Sequence, residues 1–109
     1  MSQQDVIALI PARGGSKSIP RKNVYPLLDK PLIAWTILQA KRSEKISRVI
    51  VSTDDKEIAE ISLEYGAEVP FTRPKEFSSD TATDYDVFKH AVEWLRDNEK
   101  YDPKFIVHL

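Results

Sequence analysis

The feature that most constrains the fold is a run of five consecutive apolar residues, 6–10, followed closely by Pro11 and a pair of glycines. A strand that is apolar at every position, and not only at every second one, is typical of a parallel sheet covered on both faces. Residues 48–52 and 105–109 have the same character and predict two more buried strands.

Helical patterns occupy the segments between these strands. Pro31 suits the first position of a helix, and residues 32–42 place apolar side chains on one helical face. A second helix is predicted over residues 56–65. The Thr-Asp-Asp segment 53–55 would cap its start, and Gly66 stands where a left-handed C-terminal cap is expected.

The rest of the chain completes an alternating order. Residues 68–71 predict at best a short edge strand, because Pro70 cannot donate a hydrogen bond to a neighbouring strand. Residues 73–83 are polar and predict an exposed loop, and a third helix starts at Thr83 or Asp84 and runs to about residue 98. This order predicts an α/β fold, a Rossmann-like three-layer sandwich with a mainly parallel sheet in strand order 3-2-1-4.

Length and composition exclude several classes of protein. The 109 residues make one domain at most, and 16 Lys and Arg against 17 Asp and Glu give a net charge of −1, which does not favour a nucleic-acid or membrane partner. There is no cysteine, so neither a disulfide framework nor a thiolate metal site can form. We find no apolar segment of transmembrane length and no basic leader, so the expected location is the cytoplasm.

A local concentration of positive charge interrupts this near neutrality directly after the first strand. In a 3-2-1-4 sheet that strand lies at the topological switch point, where open α/β sheets bind their ligands. Gly14 and Gly15 allow the backbone to approach a ligand closely and to turn amides toward an anion. Together with the charge they predict a polyphosphate site. The cations are Arg13, Lys17, Arg21 and Lys22.

Other interpretations of this loop differ in strength. A merely solvated loop explains Arg21 as well as a binding role does, whereas Arg13 and Lys17, which flank the glycine pair, favour binding. The Walker-type motif GxxxxGK[ST] and the dinucleotide motif GxGxxG are both absent from the sequence.

The same loop carries a family pattern. The motif I-x-A-R-x-x-S-K-x-x-x-x-K-N resembles the signature of the CMP-N-acylneuraminate cytidylyltransferases, also called CMP-sialic acid synthetases. The resemblance continues in register through residues 31–33, 49–54, 65–70, 73–74 and 79–82 and so covers nearly the whole chain. The motif residues are Ile10, Ala12, Arg13, Ser16, Lys17, Lys22 and Asn23.

This resemblance implies the transfer of CMP from CTP to a nine-carbon acidic sugar of the sialic acid type, with release of pyrophosphate and with Mg²⁺ spreading the charge. Arg13 and Lys22 match positions that bind and neutralise the triphosphate. Ser16 and Lys17 belong to the same phosphate-binding loop, and Asn23 matches a position that helps to hold the nucleotide.

The cytosine base is assigned by the resemblance to a second loop. Arg73 and the backbone of Ala82 match the positions that read it. A pyrimidine edge presents a carbonyl acceptor and an amino donor, which a cation and a backbone carbonyl can satisfy together. Taken alone, Arg73 would be interpreted as an ordinary surface arginine.

Other chemically suggestive residues have simpler explanations. Asp54 and Asp55 follow a strand and could bind a metal, but helix capping explains them at least as well and is preferred. In the family, the Mg²⁺ ligands fall mainly in a later acidic motif that this chain does not reach. The remaining candidates are expected to be structural: His90, His108, Trp35 and Trp94.

Residues 1–109 are therefore expected to form the nucleotide-binding N-terminal part of such a protein, without its sugar-binding part or its dimerisation part. The full-length family is expected to form homodimers. Two alternatives stay open, a non-catalytic nucleotide-binding module and a GTP-using legionaminic-type nucleotidyltransferase. A sugar-1-phosphate nucleotidyltransferase is disfavoured, because its Gly-x-Gly-Thr-Arg loop is missing.

Overall fold

The computed structural model of the chain describes residues 6–12, 26–74, 83–103 and 105–108. The three predicted helices are present, and each of their ends lies within one residue of the predicted bound. In chain order the elements are β1 (Val6–Pro11), β2 (Pro26–Leu27), β3 (Lys30–Pro31), α1 (Leu32–Lys41), β4 (Arg48–Ser52), α2 (Lys56–Glu64), α3 (Asp84–Glu99) and β5 (Phe105–His108).

The main sheet is parallel and has the order β4-β1-β5. Glu68 extends it beyond β4 as an isolated parallel bridge to Ile50. The Glu68 N–H donates to the carbonyl of Val49 at 2.8 Å, and the Glu68 carbonyl accepts from the N–H of Val51 at 2.9 Å. Pairing extends no further in this segment, where Pro70 has no N–H to donate. With this edge residue counted, the predicted 3-2-1-4 order is confirmed.

Both faces of the sheet are covered, which explains why β1 is apolar at every position. Ala8 and Ile10 face α1 and α2, whereas Ile7 and Leu9 face α3. The core on the α1–α2 face also includes Ile33, Ile37, Val49, Val51, Ile58 and Ala67. The core on the α3 face also includes Ile50, Phe71, Val87, Ala91 and Leu95.

The helices begin and end largely as their capping residues predict. The Asp55 carboxylate accepts a hydrogen bond from the N–H of Ile58 at 3.0 Å and so caps α2. Thr83 and Asp86 form a reciprocal capping box at the start of α3. Gly66, after α2, has a φ of +96°, as expected for a left-handed cap. Pro31 was expected inside α1, but its ψ of 150° is extended and it is the N-cap.

A small antiparallel hairpin of β2 and β3 precedes α1. Leu28, in the turn between them, has a φ of +60°. The indole Nε1 of Trp35 donates to the carbonyl of Leu27 at 2.8 Å, and the Lys30 ammonium lies 4.8 Å from the centre of the indole ring. Trp35 therefore has the predicted packing role, which is to hold the hairpin against α1.

The prediction that residues 105–109 form a buried strand is wrong in part. In β5, Phe105 is 60% exposed and Val107 is 37% exposed. Their register partners in β1 are Val6 and Ala8, so both side chains lie on the α1–α2 face of the sheet. Within this sheet α1 packs on β1 and β4, which leaves the two apolar residues of β5 exposed. Ile106, on the other face, packs against the α3 core.

Aromatic contacts join α3 to the segment after the edge bridge. The ring of Phe71 lies edge-on to His90, with 4.9 Å between ring centres, and 5.4 Å from the ring of Trp94. These contacts confirm the packing role of Trp94 and give His90 a structural one. In the parts of the chain that the structure describes, no helix is both long enough and apolar enough to cross a membrane.

A charged cluster holds the amino end of β4. Arg48 donates two hydrogen bonds to the Glu68 carboxylate, at 3.0 and 2.6 Å, and a third to Glu99 at 3.0 Å. Its guanidinium also lies 4.8 Å from the centre of the Tyr101 ring. The hydrogen bonds to Glu68 are the main reason why the pKa of Arg48 is raised above its usual value. The cluster joins β4, the edge bridge and the end of α3.

Substitution Arg48→Ala should therefore lower the free energy of unfolding by about 1 kcal/mol, the upper part of the range for partly exposed ion pairs. Urea denaturation at low and high NaCl measures it, and the loss should shrink as salt screens the carboxylates. Arg42→Ala, which removes an exposed arginine after α1, is the control and should change little. An equally large decrease in the free energy of unfolding of Arg42→Ala would show that the charged cluster makes no specific contribution to stability.

If Asp55 acts as a cap, Asp55→Ala should cost about 1 kcal/mol of stability, the usual cost of losing an N-cap side chain. The loss should be the same in MgCl₂ and in EDTA, because no metal is involved. Thermal unfolding of both variants in both buffers makes the comparison, with Thr83→Ala, at the N-cap of α3, as the matched control. A loss that appears only in MgCl₂ would instead identify Asp55 as a metal ligand.

Candidate functional site

The candidate site lies at the carboxyl edge of the parallel sheet, where β1 and β4 end side by side. Pro11 and Ser52 are register partners at these two ends. The N–H of Ala12 then donates to the carbonyl of Ser52 at 2.9 Å. The chain that follows β1, which carries the predicted phosphate-binding loop, therefore leaves the sheet beside Ser52. In a doubly wound fold this is the edge at which ligands bind.

Arg73 approaches the same edge from the segment after the Glu68 bridge. Its backbone N–H donates to the carbonyl of Thr53 at 2.9 Å. Its side chain donates twice to Ser52, from Nε to the hydroxyl at 3.2 Å and from Nη2 to the carbonyl at 2.7 Å. Arg73 is only 5% exposed, unlike the ordinary surface arginine that the sequence alone suggests. A guanidinium is buried at a cost unless hydrogen bonds compensate it, and Ser52 supplies two of them.

Two buried hydroxyl residues at the end of β4 were not assigned to the site from the sequence. Ser52 is 0% exposed and Thr53 is 2% exposed. The hydroxyl of Thr53 accepts from the N–H of Asp55 at 3.1 Å, which shapes the turn into α2. In the sequence, two hydroxyl residues stand at the predicted carboxyl end of the strand, but the same pattern fits an ordinary strand end followed by a helix start.

Of the site residues predicted from the sequence, the structure describes Arg73 and brings it to the predicted edge of the sheet. From the phosphate-binding motif after β1, the structure also describes Ala12, which is 1% exposed. The other predicted residues lie outside the described ranges and stay predictions. They are Arg13, Gly14, Gly15, Ser16, Lys17, Arg21, Lys22, Asn23 and Ala82.

The described residues also bear on metal binding. Within them, no group of three or more His, Asp or Glu side chains is arranged to hold a metal ion. Asp55 is engaged as the cap of α2. The described part of the chain therefore does not fit the Mg²⁺ site that the family resemblance implies.

Comparison with known proteins places this geometry in a family. Residues 7–99 match the family model described as cytidylyltransferase. The pseudaminic acid cytidylyltransferase of Campylobacter jejuni is 47% identical over 97 residues, which are 88% of this chain and 42% of that protein. The N-acylneuraminate cytidylyltransferase of Escherichia coli is 43% identical over 96 residues, which are 88% of this chain and 23% of that protein.

A solved structure shows the same fold. CMP:2-keto-3-deoxy-manno-octonic acid synthetase, in complex with CTP, superimposes with a TM-score of 0.74 at 25% identity, and the match covers 99% of this chain and 39% of that one. The chain thus spans less than half the length of the relatives it matches. Since the family model covers most of the sequence, the chain belongs to the cytidylyltransferase family.

Proposed function

We propose that this chain supplies the nucleotide-binding part of an enzyme that transfers CMP from CTP to a nine-carbon acidic sugar of the sialic acid type and releases pyrophosphate. One observation carries the proposal most directly. A buried arginine, Arg73, is hydrogen-bonded to the end of β4, beside the point where β1 leads into a cationic loop. Family membership supports the nucleotide, and the names of the two relatives support an acidic sugar.

The chemistry requires positive charge near the phosphates. The anomeric hydroxyl of the sugar attacks the α-phosphorus of CTP and loses its proton to solvent. The bond from that phosphorus to the oxygen that bridges to the β-phosphorus breaks, and pyrophosphate leaves with that electron pair. In such a transfer the protein mainly positions the reactants and stabilises charge. We assign the neutralisation to Arg13 and Lys22, and the binding of the triphosphate also to the loop residues Gly14, Gly15, Ser16, Lys17 and Asn23.

Base recognition is assigned to the second loop, with Arg73 and the backbone of Ala82 facing the cytosine edge. Mg²⁺ would supply further charge stabilisation when bound. As the family resemblance implies, we expect its ligands mainly in the part of the relatives' length that this chain does not span. For the whole protein we propose a homodimer, which the family resemblance implies.

A second candidate function is a nucleotide-binding module that does not catalyse the transfer. The observation in its favour is that the chain covers only 42% of a relative with the full activity in its name. Formation of a CMP-sugar from CTP and N-acetylneuraminate or pseudaminate separates the two candidates. Product formed by the 109-residue chain supports catalysis, whereas nucleotide binding without product supports the module.

Calorimetric titration with CTP, GTP, UTP and ATP, each with Mg²⁺, should show the tightest binding for CTP. The physical reason is that Arg73 and the Ala82 carbonyl offer one donor and one acceptor to the cytosine edge. Tightest binding of GTP would favour the GTP-using alternative. Equal binding of all four nucleotides would contradict the proposed base subsite, and no binding of any would contradict the nucleotide-binding function itself.

Substitution Arg13→Ala should weaken CTP binding by roughly 10- to 150-fold, because a charge-assisted hydrogen bond typically contributes about 1.5–3 kcal/mol. The matched control is Arg96→Ala, which removes the same charge from an exposed position in the last turn of α3. Calorimetric titration of both variants with CTP measures the two affinities and shows whether the loss is specific to Arg13. Equal affinities in the two variants would show that Arg13 does not contact the triphosphate.

A further inference from the structure

We propose that Ser52 is a positioning residue that fixes the guanidinium of Arg73 for base recognition and sets its place relative to Ala12, at the end of β1. This inference rests on the proposed function, since it concerns the same nucleotide site. Ser52 itself is 0% exposed and is not placed in contact with the substrate.

Three hydrogen bonds converge on Ser52. Its carbonyl accepts one from the N–H of Ala12 at 2.9 Å and another from Nη2 of Arg73 at 2.7 Å. Its hydroxyl accepts the third, from Nε of Arg73 at 3.2 Å. A carbonyl oxygen has two lone pairs, so it can serve both of its donors at once. One residue therefore joins the exit of β1 to the arginine of the second loop.

The two contacts to Arg73 restrict its orientation as well as its position. Nε and Nη2 lie on one edge of the planar guanidinium, so two acceptors on the same residue fix the plane of the group. The backbone N–H of Arg73 is held in turn by the carbonyl of Thr53, the next residue. Both ends of the arginine are thus attached to the last residue of β4 or to the residue after it, and β4 is paired with β1 along its length.

This attachment matters for recognition because hydrogen bonds weaken steeply when donor and acceptor are misaligned. Discrimination between cytosine and uracil depends on the direction of the donor and acceptor groups, whereas attraction to phosphates depends mainly on charge. Loss of the Ser52 hydroxyl should leave the charge of Arg73 in place and loosen its orientation. The expected defect is therefore in base selection and not in phosphate binding.

The test compares Ser52→Ala with Ser62→Ala in the 109-residue chain, using CTP, UTP and inorganic tripolyphosphate as titrants. Ser62 is the matched control, because it is also 0% exposed and its hydroxyl donates to the carbonyl of Ile58 at 2.7 Å, within α2. Ser52→Ala should lower CTP affinity about tenfold and narrow the preference for CTP over UTP. Its affinity for tripolyphosphate should stay within about twofold of that of the parent chain. Ser62→Ala should preserve both the preference for CTP over UTP and the affinity for tripolyphosphate.

A double-mutant cycle checks that Ser52 acts through the arginine. Arg73→Lys keeps the charge and removes the planar group, so Ser52→Ala added to Arg73→Lys should cost little further CTP affinity. Additive losses would overturn the inference, because they would show that Ser52 acts independently of Arg73. A proportional loss of CTP and tripolyphosphate affinity in Ser52→Ala would overturn it too, since that pattern marks general damage to the site.

A measurement on the parent chain keeps the inference testable if the variants fail to fold. The Nε–H proton of Arg73, followed by NMR without nucleotide, should exchange slowly with water, because it is buried and bonded to the Ser52 hydroxyl. Fast exchange of this proton would overturn the inference about Ser52 but would leave the proposed function unaffected. Failure of the parent chain to bind CTP would overturn the proposed function, and with it any role for Ser52 in that function.

Discussion

The central position of β1 is the constraint on which the other described elements depend. It pairs with β4 on one edge and β5 on the other, and Ile7, Ala8 and Leu9 are each 0% exposed. Full burial of a large apolar side chain contributes roughly 1.5–3 kcal/mol, so the burial of Ile7 and Leu9 stabilises the fold substantially. A strand buried in this way has no place for polar side chains along its length, and polar chemistry must begin where it ends.

The parallel arrangement then decides which residues can meet. Because β1 and β4 run in the same direction, the loops that follow them leave from one edge, beside the Pro11–Ser52 pair. The two ends of β4 are each bound by an arginine, but in different ways. Arg48 at the amino end is paired with carboxylates, which build a structural cluster. At the carboxyl end, Arg73 donates hydrogen bonds to the hydroxyl and carbonyl oxygens of Ser52, which orient its guanidinium.

Sequence patterns were sufficient where the determinants are local. The apolar runs, the Asp55 and Thr83 caps and Gly66 predicted the helices to within a residue at each end, because capping and periodicity act over a few neighbouring positions. Together with the crossover rule they also predicted the sheet order. For the site, the charged loop after the first strand pointed to the carboxyl edge of the sheet, and the family resemblance pointed to Arg73, whose part in base recognition stays a prediction.

The parts that the sequence did not predict depend on distant contacts. Phe105 has the composition of a buried strand residue, yet its burial depends on whether a helix covers that part of the sheet. The burial of Arg73 requires Ser52 and Thr53, which are about twenty residues away in sequence, to accept its hydrogen bonds. A serine at the end of a strand has no pattern that distinguishes a structural hydroxyl from one that orients an arginine.

The carbonyl and the hydroxyl of Ser52 make different contributions to the position of Arg73. The acceptor for Nη2 is a main-chain carbonyl of a buried strand, and every side chain at this position would provide it. Only the hydroxyl contact to Nε depends on serine itself. The carbonyl can therefore keep Arg73 at the edge of the sheet while the hydroxyl refines its direction. A long side chain that is ordered before the ligand arrives loses less conformational entropy on binding, so under the proposed function this arrangement would improve affinity without adding a contact to the nucleotide.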